Sequence, residues 1–576
     1  MKKIIAVILS IVLILSAASV GIYAAEEKAD LSFAVASDLH YNPPREELEN
    51  TITYEPLYWY ANRRCAMEDE SGYIIDEFLK QCAENDDCQF ILVPGDMADD
   101  GRTRPEDHRA VAEKFRKFEA ETGKQIYVIN GNHDASIESN TTYDLFKEIY
   151  AEFGYDKALS VREDDCSYTA DLSEKYRLIA LDSNHPTAST EDGMSKEKIN
   201  WVHDQVKQCE ADGKYPILMM HHNLLDHLPI QRVISRNFII RNHFLTAERF
   251  ADWGIKVVLT GHEHCGDATS YTSLLGNKIY DFATTSLTMF PLAYRFFTFT
   301  DDEITYEDKT IDTIDYDALT ANTKGYTDEM INGMKEDLYT YSKNFLKAGI
   351  KFRLGRDLNV EAMDISEDAF YYDIVATAVG DLTEMLDMPL YGEGGLQEIA
   401  GGYSIDIPDT EIKTGWDLVG ELMAWHYAGE EPFDMTSTPE VTLLLRAAAS
   451  IVRKDLADVS DVSIFKAANE LLKKSGMDTI GNQLTLFCID TFGSYTALEY
   501  LLAAIASPIA YTFAYDDDGV PDCNGKIEGY GVSGGIKNIG ENASAITNKV
   551  LIFVKLIVKY LMGIVNKCLN FASKYM

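Results

Sequence analysis

The sequence predicts a layered α/β or α+β domain followed by a second, mainly helical one, and three observations carry that prediction. Between residues 31 and 300, short β-rich runs alternate with helix-like stretches. Five of those runs end in clusters of Asp, Asn and His. From Tyr316 onward the apolar spacing turns helical and the clusters stop. A chain of 576 residues also exceeds what one hydrophobic core organises, and roughly one domain per 150 residues gives two to four.

A hydrophobic fraction of 46% with 25% charged residues excludes wholesale disorder. The 93 acidic against 52 basic residues leave a net charge of -41, a field that repels polyanions at long range. Nucleic acid is therefore not expected as a partner, whereas solubility outside the cell and capture of divalent cations are favoured. Met1-Lys2-Lys3 and the uncharged run from Ile4 to Ala25 have the order of a signal peptide, assigned to residues 1–25. A secreted or extracellular location is expected, at the cell surface if the apolar run stays uncut. The nine cysteines form no CxxC pair and are odd in number, so isolated thiols are expected, with Cys82 and Cys88 the one close pair to check for a bridge.

Taken in order, residues 31–37 precede Asp38-Leu39-His40, 90–94 precede Gly95-Asp96, and 126–130 precede Gly131-Asn132-His133-Asp134. Residues 216–220 precede His221-His222, and 256–260 precede Gly261-His262-Glu263-His264. Ligand sites gather where strands end, so each run is read as a strand that delivers its cluster. Helical periodicity marks 329–346, 366–386 and 441–452. The domains are accordingly drawn at 31–310 and 316–514, with a Gly- and Asp-rich linker at 515–548. In the final segment, 549–576, lysines and asparagines share one stripe of an apolar helix, which suits contact with a membrane surface or packing on its own domain.

Any one cluster arises by chance; the ordered set of five does not. Imidazole and carboxylate together suit Zn, Fe or Mn, and a carboxylate can bridge two ions where a neutral imidazole cannot. The ordered set resembles the calcineurin-like metallophosphoesterases over residues 31 to about 300. Leu181-Asp182-Ser183-Asn184, Met194-Ser195 and Thr285-Ser286-Leu287 fit a bacterial exported subgroup.

The resemblance implies an α+β fold, a four-layer αββα sandwich with a dinuclear centre on one edge. It assigns Asp38, His40 and His264 to one ion, Asn132, His221 and His262 to the other, and Asp96 to both. His262 and His264, two apart in an extended segment, are expected to point to one side. His133 resembles the histidine that stabilises the phosphoryl transition state and assists the leaving group, and Asp99 its carboxylate partner, holding its tautomer and raising its pKa. Asp134 is expected to be supporting at best, and His222 to touch substrate or serve structure.

Protein phosphatases of the family carry an arginine where this chain has Asp100, which weighs against protein substrates. Arg63 and Arg64 offer positive charge in the insert 41–64, and Tyr54, Tyr58, Trp59 and Tyr60 a stacking surface. The expected activity is hydrolysis of a small phosphate ester, diester ahead of monoester, by a hydroxide bridging two ions (Mn, Fe or Zn). Two alternatives stand beside it: a cell-surface binding protein that uses the domain as a scaffold, and a secreted nuclease.

Overall fold

A computed structural model describes residues 31–43, 65–188, 191–228, 236–323, 325–358, 365–400, 413–431, 439–474 and 519–531, with isolated residues between them. The segments 1–25 and 549–576, and Arg63, Arg64, Tyr54, Tyr58, Trp59 and Tyr60, lie outside the described residues.

Short apolar runs alternate with amphipathic helices along the first half of the chain. In order they are β1 (Leu31–Val35), α1 (Ser71–Glu84), β2 (Phe90–Val93), α2 (Pro105–Thr122), β3 (Gln125–Val128) and α3 (Tyr143–Ile149). Then follow β4 (Ser160–Val161), β5 (Tyr168–Asp171), β6 (Tyr176–Leu181), α4 (Lys196–Ala211), β7 (Tyr215–Met220), α5 (His243–Trp253) and β8 (Val257–Thr260). The hairpin-rich end comprises β9 (Asp267–Thr272), β10 (Lys278–Ala283), β11 (Ala293–Phe299) and β12 (Glu303–Thr310).

One sheet has the order β12-β11-β1-β2-β3, and the other β4-β5-β6-β7-β8-β10-β9. β1, β2 and β3 are parallel, as are β6, β7, β8 and β10, with antiparallel strands at the flanks. Phe-Ile-Leu-Val in β2 and Val-Val-Leu-Thr in β8 are buried at every position, the pattern of strands covered on both faces. Phe282 on β10 meets Phe297 on β11 with ring centres 5.1 Å apart, and Tyr176 on β6 meets Phe299 at 5.5 Å, so the sheets pack face to face. Helices α1 and α2 back the first sheet, and α4 and α5 the second, which completes the αββα layers.

The helical region comprises α6 (Tyr316–Asn322), α7 (Asp328–Glu336), α8 (Leu338–Asp357), α9 (Tyr372–Leu386), α10 (Leu396–Ile399), α11 (Gly415–Ala428), α12 (Pro439–Asp455) and α13 (Asp461–Lys474). The helix expected over 329–346 is two helices. Asp337 leaves the helical conformation at φ -159° and its carboxylate caps α8 by accepting from Thr340 N–H. Leucines and alanines of α9, α12 and α13 form a core of their own. A smaller cluster joins the halves, with Met289 and Phe290 from the sandwich against Leu346, Ile350, Met423 and Ala424 from the helices.

The expected linker is corrected by β13 (Asn524–Glu528), which lies inside 515–548 and pairs antiparallel with β12, Ile304 opposite Ile527. Tyr530 then donates its hydroxyl to the Pro216 carbonyl and accepts from Val257 N–H. The chain thus returns from the helices to extend the first sheet. Two buried residues, Ile527 and Tyr530, anchor this return among glycines and acids whose local signal is that of a loop. Among the described residues, Cys65, Cys82, Cys88, Cys166, Cys209, Cys265 and Cys523 are free thiols. No described helix is long and apolar enough to cross a membrane.

Candidate metal centre

Parallel strands deliver their C-terminal ends to one edge, and five of them carry the clusters. β1, β2 and β3 lead to Asp38, Asp96 and Asn132; β7 and β8 lead to His221 and His262. The loops run side by side, with Asp38 N–H donating to Gly95 O at 3.1 Å and His40 N–H to Asp96 O at 3.0 Å. Asp38, His40, Asp96, His262 and His264 all have positive φ, from 39° to 70°. Each such residue costs on the order of 1 kcal/mol, so the surrounding packing must hold the loops. This corrects the expectation for His262 and His264: β8 ends at Thr260, and the two sit in left-handed turns rather than an extended segment. Gly131 and Gly261 make room, because a Cβ on either would run into Asp96 Oδ1 or Asp38 Oδ2 respectively.

Two clusters result. In one, His264 Nε2 lies 3.2 Å from Asp38 Oδ1 and 3.1 Å from His40 Nε2. In the other, His221 Nε2 lies 3.2 Å from Asp96 Oδ2 and 2.9 Å from Asn132 Oδ1, and the His262 ring is 4.7 Å from that of His221. Asp96 Oδ2 is also 3.9 Å from His40 Nε2, which places it between the two. Each aspartate divides its oxygens. Asp38 Oδ2 accepts from Ser37 Oγ at 2.6 Å and His262 N–H at 2.9 Å, and Asp96 Oδ1 accepts from His133 N–H at 2.8 Å. Their other oxygens, Asp38 Oδ1 and Asp96 Oδ2, are buried with no hydrogen-bond donor. Buried anionic oxygens facing imidazole nitrogens fit cations.

A model of the calcineurin-like phosphoesterase family matches residues 31–266. This chain carries a calcineurin-like phosphoesterase domain. Among solved structures, a dimetal phosphatase from Danio rerio aligns at 11% identity and TM-score 0.34, over 49% of this chain and 97% of that one. A 5'-nucleotidase from Candida albicans aligns at 13% identity and TM-score 0.28, over 55% and 59%. An NAD nucleotidase from Haemophilus influenzae aligns at 10% identity and TM-score 0.27, over 55% and 60%. No curated protein matches the chain. Metallophosphoesterases use dinuclear metals, and among the described residues the candidate ligand groups are the two clusters and a third, His40, Asp99 and His133, that shares His40 with the first.

Hydrogen bonds at Nδ1 decide which imidazole nitrogen faces the clusters. His221 Nδ1 donates to the Pro94 carbonyl at 2.9 Å, which leaves Nε2 toward Asp96. His40 Nδ1 lies 3.2 Å from Asp99 Oδ1. Burial opposes protonation of His40, but the Asp99 hydrogen bond and the charge of Asp96 outweigh it and raise its pKa to about 9. His221 is raised to about 9 in the same way, burial being overcome by the charge of Asp96. Burial pushes His262 down to about 3, helped by the charge of His221. Burial works to raise Asp38 and Asp96, yet His264 holds the first, and His221 with His133 the second, below the usual carboxylate range.

Asp99 is placed otherwise than expected. Its carboxylate sits by His40, 3.8 Å from His133 Nδ1, and His133 donates instead to the Asp99 backbone carbonyl at 2.7 Å. The loop after β2 turns the side chain one way and the carbonyl the other, which spacing alone does not reveal. Asp134 does more than expected, since its carboxylate accepts from Gly131 N–H, Asp96 N–H and Ala98 N–H and so ties the β2 loop to the β3 loop. Burial pushes Asp134 up to about 6. His222 bonds Ser183 at 2.9 Å and lies against His262, ring centres 4.5 Å apart. Phe238 covers His262 at the same 4.5 Å, a contact with no local signal in the sequence.

Proposed function

We propose that the chain is an exported phosphoesterase that uses two metal ions to hydrolyse a small phosphate ester, diester ahead of monoester. The observation that carries this reading is the pair of buried, donorless oxygens, Asp38 Oδ1 and Asp96 Oδ2, each facing imidazole nitrogens. Asp38, His40 and His264 would hold one ion, Asn132, His221 and His262 the other, and Asp96 both. Two such ions, Mn, Fe or Zn, supply Lewis acidity that draws charge from the phosphoryl oxygens and activates water for attack on phosphorus.

The chain's own groups do the remaining work. His133, a quarter exposed, donates Nδ1–H to the Asp99 carbonyl, so Nε2 is the nitrogen that carries a proton to the departing alkoxide. The Asp99 carboxylate fixes the His40 ring. Asp100, where protein phosphatases of the family carry arginine, and the net charge of -41 favour small substrates over proteins and polynucleotides. The apolar segment after Met1-Lys2-Lys3 supports export.

Protein loaded with Mn or Zn is expected to hold two ions per chain and to cleave bis-p-nitrophenyl phosphate faster than p-nitrophenyl phosphate. Asp96→Asn should lower both reactions by roughly a thousandfold; undiminished turnover in that variant refutes the site. A scaffold that only binds partners need not retain about two ions per chain.

A further inference from the structure

An imidazole that presents Nε2 to a cation needs a proton acceptor at Nδ1. His221 uses the Pro94 carbonyl and His40 faces the Asp99 carboxylate. His264 differs: its Nδ1 lies 3.0 Å from Sδ of Met289. A thioether has lone pairs and no proton, so the ring nitrogen is the donor, and Nε2, 3.2 Å from Asp38 Oδ1, is left bare.

We propose that Met289 is a positioning residue for the Asp38–His40–His264 cluster, held in place by the helical region. The inference rests on the reading of those three residues as cation ligands. Met289 is 3% exposed. Its loop is bound to the Asp38 loop through Leu287 N–H donating to Ser37 O at 3.0 Å. Its side chain belongs to the apolar cluster that includes Leu346 of α8 and Met423 and Ala424 of α11.

The end of α11 grips the same ligand loop from its far side. Gly266 N–H donates to the Tyr427 carbonyl at 3.1 Å, and Gly429, at φ +65°, lies so near the Gly266 carbonyl that a Cβ would collide with it. His264 itself sits at φ 66°, a conformation that persists only where neighbours impose it. A thioether is a weaker acceptor than a carbonyl or a carboxylate, so His264 is the least basic of the three supported imidazoles.

Cobalt(II) titration of the full chain, followed by calorimetry and visible absorption, tests this with Met289→Leu, Met289→Gln and Met423→Ala. Wild-type protein should take up two ions. Met289→Leu keeps the apolar volume and removes the acceptor, so it should weaken one site by roughly 10-fold, shift that site's absorption and leave the other unchanged. Met289→Gln, whose carbonyl accepts from Nδ1, should restore the affinity, and Met423→Ala should weaken the same site by a smaller factor. If Met289 only fills space, Leu will behave as wild type and Gln will be worse than Leu; either result overturns the proposal. Wild-type protein that takes up no cobalt overturns the ligand assignment instead, and the role of Met289 with it.

Discussion

The two sheets bring different chemistry to their shared edge. The one built on β1, β2 and β3 supplies three carboxylates, Asp38, Asp96 and Asp99, with Asn132 and two imidazoles, His40 and His133. The one built on β7 and β8 supplies His221, His262 and His264 and, among the described residues, no carboxylate to the candidate ligand groups. On the first side Asp38 and Asp96 each spend one oxygen on backbone or hydroxyl donors and keep the other bare. On the second, backbone bonds such as Gly261 N–H to His221 O at 3.0 Å fasten the loops, and Nδ1 contacts to the Pro94 carbonyl and Met289 Sδ leave Nε2 of His221 and His264 facing inward. The difference teaches that the carboxylate side both builds the edge and gives it negative charge, whereas the imidazole side brings ring nitrogens to face those carboxylates.

That comparison can be broken experimentally, most severely at Asp96, the one group facing both clusters. Asp96→Asn should lower turnover by roughly a thousandfold and cost both ions, as read by metal analysis. His221→Ala, on the imidazole side, should remove one ion and leave the other, with turnover down roughly a hundredfold. Equal loss of both ions in His221→Ala would erase the distinction between the sheets. Asp99→Asn tests support rather than ligation: about a tenfold weaker hold on the ion at His40 is expected by calorimetry, with little change at the second ion.

The smallest effect lies in the helical region, as a contrast. Burial, with the charge of Asp455, raises Asp381 to about 6. The folded chain then holds a proton that the unfolded chain releases above about 3.9, so stability is greater at the acid end and declines as pH rises from about 4 to 6. Asp381→Asn should flatten that slope in thermal melts and leave metal content unchanged.

Much of the candidate site was legible because its residues are local to strand ends. In the second cluster the apolar run Phe90–Val93 marks the strand, Gly95 marks the turn, and Asp96 follows three positions after the strand. What was not legible depends on neighbours far away in sequence. Asp99 turns its carboxylate to His40 and its carbonyl to His133 because two loops lie side by side. The strand at Asn524–Glu528 escaped notice because five residues among glycines and acids have no strand signal until β12 offers an edge. The break at Asp337 was hidden within one unbroken helical periodicity.

By itself, then, the sequence determined the order of elements, the two-part architecture and the residue types at each strand end, since hydrophobic period and turn chemistry act over a few residues. Only the tertiary structure decided which oxygens stay bare, which ring nitrogen faces inward, and that Met289 and α11 brace the loop carrying His264. Those are outcomes of packing between segments hundreds of residues apart, where burial and close approach, not local propensity, set the energy.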